Sequence, residues 1–249
     1  MIGITTSGYG IGDKIIISSF PENYYKNTGE KLIDVHKSWV FNYNPYIIRD
    51  EIPSKIINFW NTNDINYNLI KECVLPSVAA NVCENFKFET YLRHPRLYVY
   101  EDLPIKNNQI AVHLNGISVG DCPDYIVEQI INNYQGFDLL QIGTKNDYNG
   151  NPTKHYPGLI NMLGLDIWDS VKIISESIIF IGIDSGMMNV SFCYPRVNKK
   201  IIILYEPEYI KKTFPMASNN IYSQWLDHSF SYFNKFDKDI GFTYSYKKI

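Results

Sequence analysis

The sequence has little cysteine, and what it has is unpatterned. Cys73, Cys83, Cys122 and Cys193 form no CxxC pair along 249 residues. That spacing argues against a disulfide framework or a cysteine-based zinc site, and predicts small buried apolar residues in a reducing cytosol. His36, His94, His113, His155 and His228 make no HExxH or HxH pattern, so no metal centre is expected from them. Basic charge is also lacking. Lys+Arg number 23 against 26 Asp+Glu, a net charge of −3, which argues against nucleic acid as a partner. No window reaches about 18 uninterrupted apolar residues, so no membrane-spanning helix is expected. The opening Met1-Ile2-Gly3-Ile4-Thr5-Thr6 lacks the charged start and long apolar stretch of a signal peptide. Neither GxGxxG nor GxxxxGKS occurs, which weakens a dinucleotide-binding oxidoreductase or a phosphate-loop enzyme.

What is present is a globular composition. Hydrophobic residues make up 45% of the chain, too many for disorder. Tyr numbers 20, beside runs such as Ile15-Ile16-Ile17 and Ile201-Ile202-Ile203 and abundant Asn. This excess reads as the codon bias of an AT-rich genome rather than as a tyrosine-lined surface.

The pattern along the chain alternates. Ile2 to Ser7 predicts a strand that stops at Gly8-Tyr9-Gly10-Ile11-Gly12, with Asp13 next and a helix opening at Lys14. Strands are predicted at 31–35 and 97–100, and a helix interrupted by Pro76 at 70–86; residues 39–70 give no clear pattern. After a polar break at 101–108 the alternation becomes regular. Strands are predicted at 109–114, 138–142, 177–183 and 200–205, with helices at 124–133, 165–175 and 186–194. Short connections between strand and helix imply βαβ crossovers and a parallel sheet covered on both faces. Two domains follow, 1–104 and 105–249.

Polar loops stand at the carboxyl ends of these strands, where open α/β sheets bind ligands. The most pronounced is Gly182-Ile183-Asp184-Ser185-Gly186-Met187-Met188-Asn189, a buried strand running into a turn and a helix. Such a turn offers main-chain N–H groups and a hydroxyl to an anion. It is equally a well-capped helix start. His113-Leu114-Asn115-Gly116 and Gly143-Thr144-Lys145-Asn146-Asp147 are the other two. Near the start, Asp13 beside Gly10 and Gly12 suits either a helix cap or a general base.

The order of these loops resembles the donor-binding domain of the ADP-heptose:lipopolysaccharide heptosyltransferases over residues 109–207. The family runs from a His-Pro-Gly-Ala-like loop through a Gly-Gly-like loop with an acidic residue to Leu-x-Gly, then Gly-x-Asp-Ser/Thr-Gly-x-x-His and a strand ending in Pro. Here these stand as His113-Leu114-Asn115-Gly116, Ile142 to Asp147, Met162-Leu163-Gly164, Gly182 to Asn189 and Leu204-Tyr205-Glu206-Pro207. Gly10-Ile11-Gly12-Asp13 is similar to the family's Gly-Asp at its first helix.

The resemblance implies a GT-B-like α/β fold, two Rossmann-like domains with parallel sheets facing a cleft, the N-terminal one reduced. It implies an inverting, metal-independent glycosyltransferase acting on a surface glycan or lipid-linked glycan. No cofactor is expected beyond a nucleotide-diphosphate sugar as donor substrate. It further implies Asp13 as the acceptor's base, flanked by Gly10 and Gly12. Donor contacts would come from Asn115, Gly116, Gly143, Thr144, Lys145, Asp147, Asp184, Ser185, Gly186, Met187, Met188 and Asn189. Asp147 would meet the ribose or base, and Lys145 and Ser185 the diphosphate. The expected location is the cytoplasm, with peripheral contact at the inner face of the membrane. Two features support an alternative, a non-catalytic sugar-nucleotide or glycan-binding module or partner subunit: Asn189 stands where the family has His, and the N-terminal domain is reduced. Ser118 to Pro123 also holds no Lys or Arg, where the family often has a basic residue that helps hold the donor phosphates.

Overall fold

The computed structural model describes residues 1–6, 10–57, 86–89, 92, 95–116, 120–147, 149–183, 185–197 and 199–203. The helix expected at 70–86, up to residue 85, lies outside them, as do Ser7, Asp184 and the motif Leu204 to Pro207. The chain divides into two compact units, one built on residues up to Glu101 and one beginning at Asp102. Among the described residues no helix is long and apolar enough to cross a membrane.

The first unit comprises β1 (Ile2–Ile4), α1 (Ile11–Ile16), α2 (Phe20–Thr28), β2 (Leu32–Asp34), β3 (Ile47–Ile48) and β4 (Lys55–Ile57). The strands are all parallel, in the order β3-β2-β1-β4. Ile4, Leu32 and Ile33 of the strands and Ile15, Ile17 and Phe20 of the helical segment are all fully buried. Part of the aromatic excess is spent here. Phe20, Tyr24, Phe86 and Phe88 form a four-ring cluster with centroids 5.5–6.2 Å apart. Such tilted and edge-on pairs add attraction beyond the area they bury.

Two expectations fail in this unit. The first helix starts at Ile11 rather than Lys14, because the Gly10 N–H donates to Asp13 Oδ2 at 3.1 Å and so begins the helix one turn earlier. Residues 97–100 are not a strand. Tyr100 has φ +59, which breaks extended backbone. Moreover, Arg96 and Tyr98 are drawn to buried Glu22 instead of to a neighbouring strand: Arg96 Nη1 donates to both carboxylate oxygens at 3.1 and 3.0 Å, and the Tyr98 hydroxyl donates to Oε2. Lys26 adds an ion pair to Glu22 at 2.6 Å. Burial pushes the Glu22 pKa up, but Lys26, Tyr98 and Arg96 together outweigh it and hold the carboxyl below its ordinary value.

The second unit comprises β5 (Lys106–His113), β6 (Asn115–Gly116), β7 (Gly120–Asp121), α3 (Asp124–Asn133), β8 (Asp138–Gly143), β9 (Ile160–Leu163), α4 (Ile167–Glu176), β10 (Ser177–Ile183), α5 (Gly186–Phe192) and β11 (Lys199–Ile203). Helix α4 starts where Asp166 Oδ1 accepts the N–H groups of Trp168 at 2.7 Å and Asp169 at 3.0 Å. That is a side-chain cap on two donors that have no partner within the helix. The main sheet has five parallel strands in the order β11-β10-β5-β8-β9, with β6 and β7 a separate antiparallel ribbon. Its β-branched runs are buried because helices cover the sheet. Ile110, Val112, Leu139, Ile181 and Ile183 form the core with Val127 and Ile130 of α3.

Numbered from its own first strand, each sheet reads 3-2-1-4, and the second unit adds a fifth strand beside the fourth. This is the strand order of the Rossmann fold. Both sheets thus reverse direction between their first and fourth strands.

Replacing Glu22 by Ala should cost about 3 kcal/mol, the lower end of the range for breaking a buried ion pair, since Arg96 retains access to solvent. Because the folded carboxyl titrates below its ordinary value, its contribution is present above pH 4.5 and fades as the pH falls through the folded pKa. Urea denaturation between pH 3 and 7 should show this acid-labile component in the parent and not in the variant.

Candidate functional site

In a sheet of this order the crevice lies outside the carboxyl ends of the first and fourth strands. In the second unit these are β5 and β10, which pair so that His113 stands opposite Gly182. The approach is tight. A Cβ on Gly182 would lie 2.6 Å from the Phe180 ring and 3.1 Å from the His113 carbonyl oxygen, so no larger residue fits. β8 joins on the other side of β5, with Ile142 opposite His113. It ends at Gly143, whose φ of +148° suits glycine. A Cβ there would lie 3.7 Å from the His113 ring and 3.4 Å from Leu163.

These strand ends bring His113, Gly143 and Ser185 together. Ser185 follows β10 as the N-cap of α5, and its Oγ lies 3.1 Å from His113 Nδ1. His113 is 7% exposed, and burial lowers its pKa to about 4. The imidazole is therefore neutral at pH 7. The site presents a hydroxyl, an uncharged ring and a side-chain-free turn, a surface shaped for a polar ligand to approach the backbone closely.

The other expected donor contacts are placed as follows. Asn115 and Gly116 form β6, and Asn115 Nδ2 donates to Asp121 Oδ1 at 2.8 Å, which ties the ribbon together. Thr144 and Lys145 are exposed in the loop after β8, and Lys145 packs beside Gly164. Asp147 is engaged by its own loop: Oδ1 accepts the N–H groups of Asn149 and Asn151 at 2.8 Å each, and Oδ2 accepts from Asn151 Nδ2 at 3.1 Å. The Asn151 side chain, and behind it those N–H groups, hold its carboxyl below the ordinary range. Gly186 begins α5, while Met187, Met188 and Asn189 are buried. Asp184 lies outside the described residues. His113 itself carried no assigned role in the sequence pattern; its position as the last residue of a buried strand was the available signal.

In the first unit, Gly10 is exposed and Gly12 and Asp13 are half-buried at the start of α1, after β1. Burial raises the Asp13 pKa above its ordinary value, with the Gly10 N–H opposing the shift. A carboxylate so placed is a stronger base than one in water.

The fold of the chain is similar to that of solved glycosyltransferase structures. No family model matches the chain, and no curated protein matches it in sequence. The similarity lies in solved structures. One is the iron-containing dodecameric glycosyltransferase TibC from enterotoxigenic E. coli, at 14% identity and TM-score 0.60 over 83% of this chain and 62% of that one. The TibC heptosyltransferase in complex with ADP-D-β-D-heptose gives TM-score 0.61 at 12% identity, over 83% and 61% of the two chains. E. coli heptosyltransferase WaaC with ADP gives TM-score 0.53 at 8% identity, over 92% of this chain and 100% of that one. The chain spans about three fifths of the length of TibC. Among the described residues no three His, Cys, Asp or Glu side chains are grouped as an iron centre would need. Those residues do not fit one, and no chemistry is assigned to iron.

The buried neutral His113 makes stability depend on pH. Its folded pKa, about 4, lies below its ordinary 6.5, so the unfolded chain binds the extra proton between those values. Stability should fall as the pH drops through that window, by up to about 3 kcal/mol at the acid end. Urea midpoints measured between pH 4 and 7 should show the slope, and His113→Asn should flatten it.

Proposed function

We propose that the chain is an inverting glycosyltransferase that moves a sugar from a nucleoside diphosphate donor to a hydroxyl of a surface or lipid-linked glycan. The observation that carries this reading is the convergence of His113, Gly143 and Ser185 at the order reversal of the second sheet. The fold shared with TibC and WaaC supports it, since those proteins are glycosyltransferases and are described with ADP-heptose or ADP bound.

In this reading the donor's diphosphate lies against Ser185 and the glycine turn at Gly143, with Lys145 on the exposed side of the same loop. The acceptor oxygen attacks the anomeric carbon from the face opposite the diphosphate. One C–O bond forms as the other breaks, the electron pair leaves with the diphosphate, and configuration inverts. Asp13 takes the acceptor's proton. Positioning and stabilisation of the leaving diphosphate supply most of the rate. The reaction is read as metal-independent, as the resemblance of the loop order to the heptosyltransferases implies. The chain would act in the cytoplasm, at the inner face of the membrane.

ADP, UDP and GDP should be screened by thermal shift. A ligand at 100 times its Kd stabilises by about 2.7 kcal/mol, a visible change in melting temperature. Absence of binding by all three at millimolar concentration would sink the reading. Asp13→Asn should keep donor binding and lose about 100- to 10,000-fold in transfer. The parent's kcat/KM should rise with pH through a limb lying above the ordinary aspartate pKa of 3.8, the direction in which burial moves Asp13. Nucleotide binding without turnover on any glycan acceptor would instead identify a binding module, the role that Asn189 in place of the family's His favours.

A further inference from the structure

One polar atom beside this site is left unanswered. Asn115 follows His113 and Leu114 at the carboxyl end of β5, the first of the two strands between which the second sheet reverses. Its place is fixed on both sides. The Leu114 side chain before it is fully buried, and the Leu114 carbonyl accepts the Cys122 N–H at 2.8 Å. Asn115 then stands opposite Asp121 in the β6–β7 ribbon.

The orientation of the amide is set by that partner. Nδ2 lies 2.8 Å from Asp121 Oδ1, on the exposed side of the ribbon. A carboxylate accepts hydrogen bonds and an amide oxygen has none to give, so the NH2 group is the end that faces Asp121. Oδ1 is therefore turned inward. It is buried, and among the described residues no donor reaches it. Asn115 as a whole is half-buried, so this atom lies at the edge of the fold and not in its core. Buried polar atoms in folded proteins are nearly always hydrogen-bonded, and an exception calls for a partner.

An amide oxygen takes an O–H or an N–H. Diphosphate oxygens are acceptors too and would be repelled by it. The Asn115 Cα lies at most about 7 Å along the chain from that of His113, two residues of extended backbone. His113 in turn touches Ser185, the proposed diphosphate contact. At that separation the units joined directly to the diphosphate, the ribose and the transferred sugar, come within reach; the base is one unit farther. Both units carry hydroxyls.

We propose that Asn115 is a specificity-determining residue whose Oδ1 accepts a hydroxyl of the sugar-nucleotide donor, from the ribose or from the transferred sugar. This rests on the glycosyltransferase reading and gives one of its donor contacts a chemical role distinct from phosphate binding. Oδ1 is shut off from water before the ligand arrives, so the bond it gains is not offset by lost hydration. A ligand lacking the hydroxyl leaves it unpaired, which is how a site discriminates against deoxy analogues.

The test uses the whole chain and calorimetry. The tightest binder among ADP, UDP and GDP is compared with its 2′-deoxy and 3′-deoxy forms and with its glucose and mannose conjugates. The proteins are the parent, Asn115→Leu and Asn115→Ala, each checked for folding by its thermal transition; either variant serves if the other fails to fold. Loss of Oδ1 should weaken ligands carrying the recognised hydroxyl about tenfold, the loss expected for one hydrogen bond. Ligands without it should bind parent and variant within about threefold. A ribose hydroxyl shows as a loss on the bare diphosphate that one deoxy form abolishes. A hydroxyl of the transferred sugar shows as a loss on a conjugate and none on the bare diphosphate.

An equal loss on all of these ligands, deoxy forms included, would mean a phosphate contact or a mere support of the ribbon, and overturns the proposal. So does the absence of any loss. In both cases the parent still binds, and the glycosyltransferase reading stands. If the parent binds no nucleoside diphosphate, both fall.

Discussion

The close approach of β5 and β10 is the constraint on which the second unit depends. A parallel sheet in the order 3-2-1-4-5 must reverse its winding between its first and fourth strands, and the loops that leave those strands diverge to opposite faces. Here the reversal is tightened by Gly182. Its missing side chain admits the Phe180 ring and lets the His113 carbonyl come near. An alanine would have to displace an aromatic ring within a packed layer, an overpacking that costs roughly 1–3 kcal/mol. With the two strands held so closely, the last side chain of one and the first hydroxyl beyond the other fall within hydrogen-bonding distance. The site is thus a consequence of the sheet's winding, and its precision comes from strands rather than from loops.

How much of this was legible in the sequence depends on the range of the forces involved. The strand at 177–183 and the helix at 124–133 appear where the apolar pattern puts them. Their β-branched run and their helical spacing of Ile126, Val127, Ile130 and Ile131 are local signals. The failures have non-local causes. Tyr98 lies within the expected strand at 97–100, but it and the preceding Arg96 turn to Glu22, more than seventy residues earlier. The short strands β3 and β4 carry two and three residues, too few for any alternation to register. β9 was visible only as the Met162-Leu163-Gly164 motif. In the site, Ser185 and Gly143 were legible as turn chemistry at strand ends. Asp147 was legible as an acidic residue, but not as the anchor of its own loop. The pairing of His113 with Ser185 needed the register of β5 against β10, which no local pattern contains.

Burial acts on the two titratable groups of interest in opposite directions, with a common chemical result. It raises the Asp13 carboxyl and lowers the His113 imidazole, so each is pushed toward its uncharged form. For an acid, this makes the ionised state a stronger base, which is what the proposed deprotonation of an acceptor hydroxyl requires. For histidine, it removes a charge and leaves one N–H on the ring. In the proposed reaction, the charge that builds on the departing diphosphate would be met by groups held at strand ends, whose dipoles are already aligned and need no reorganisation.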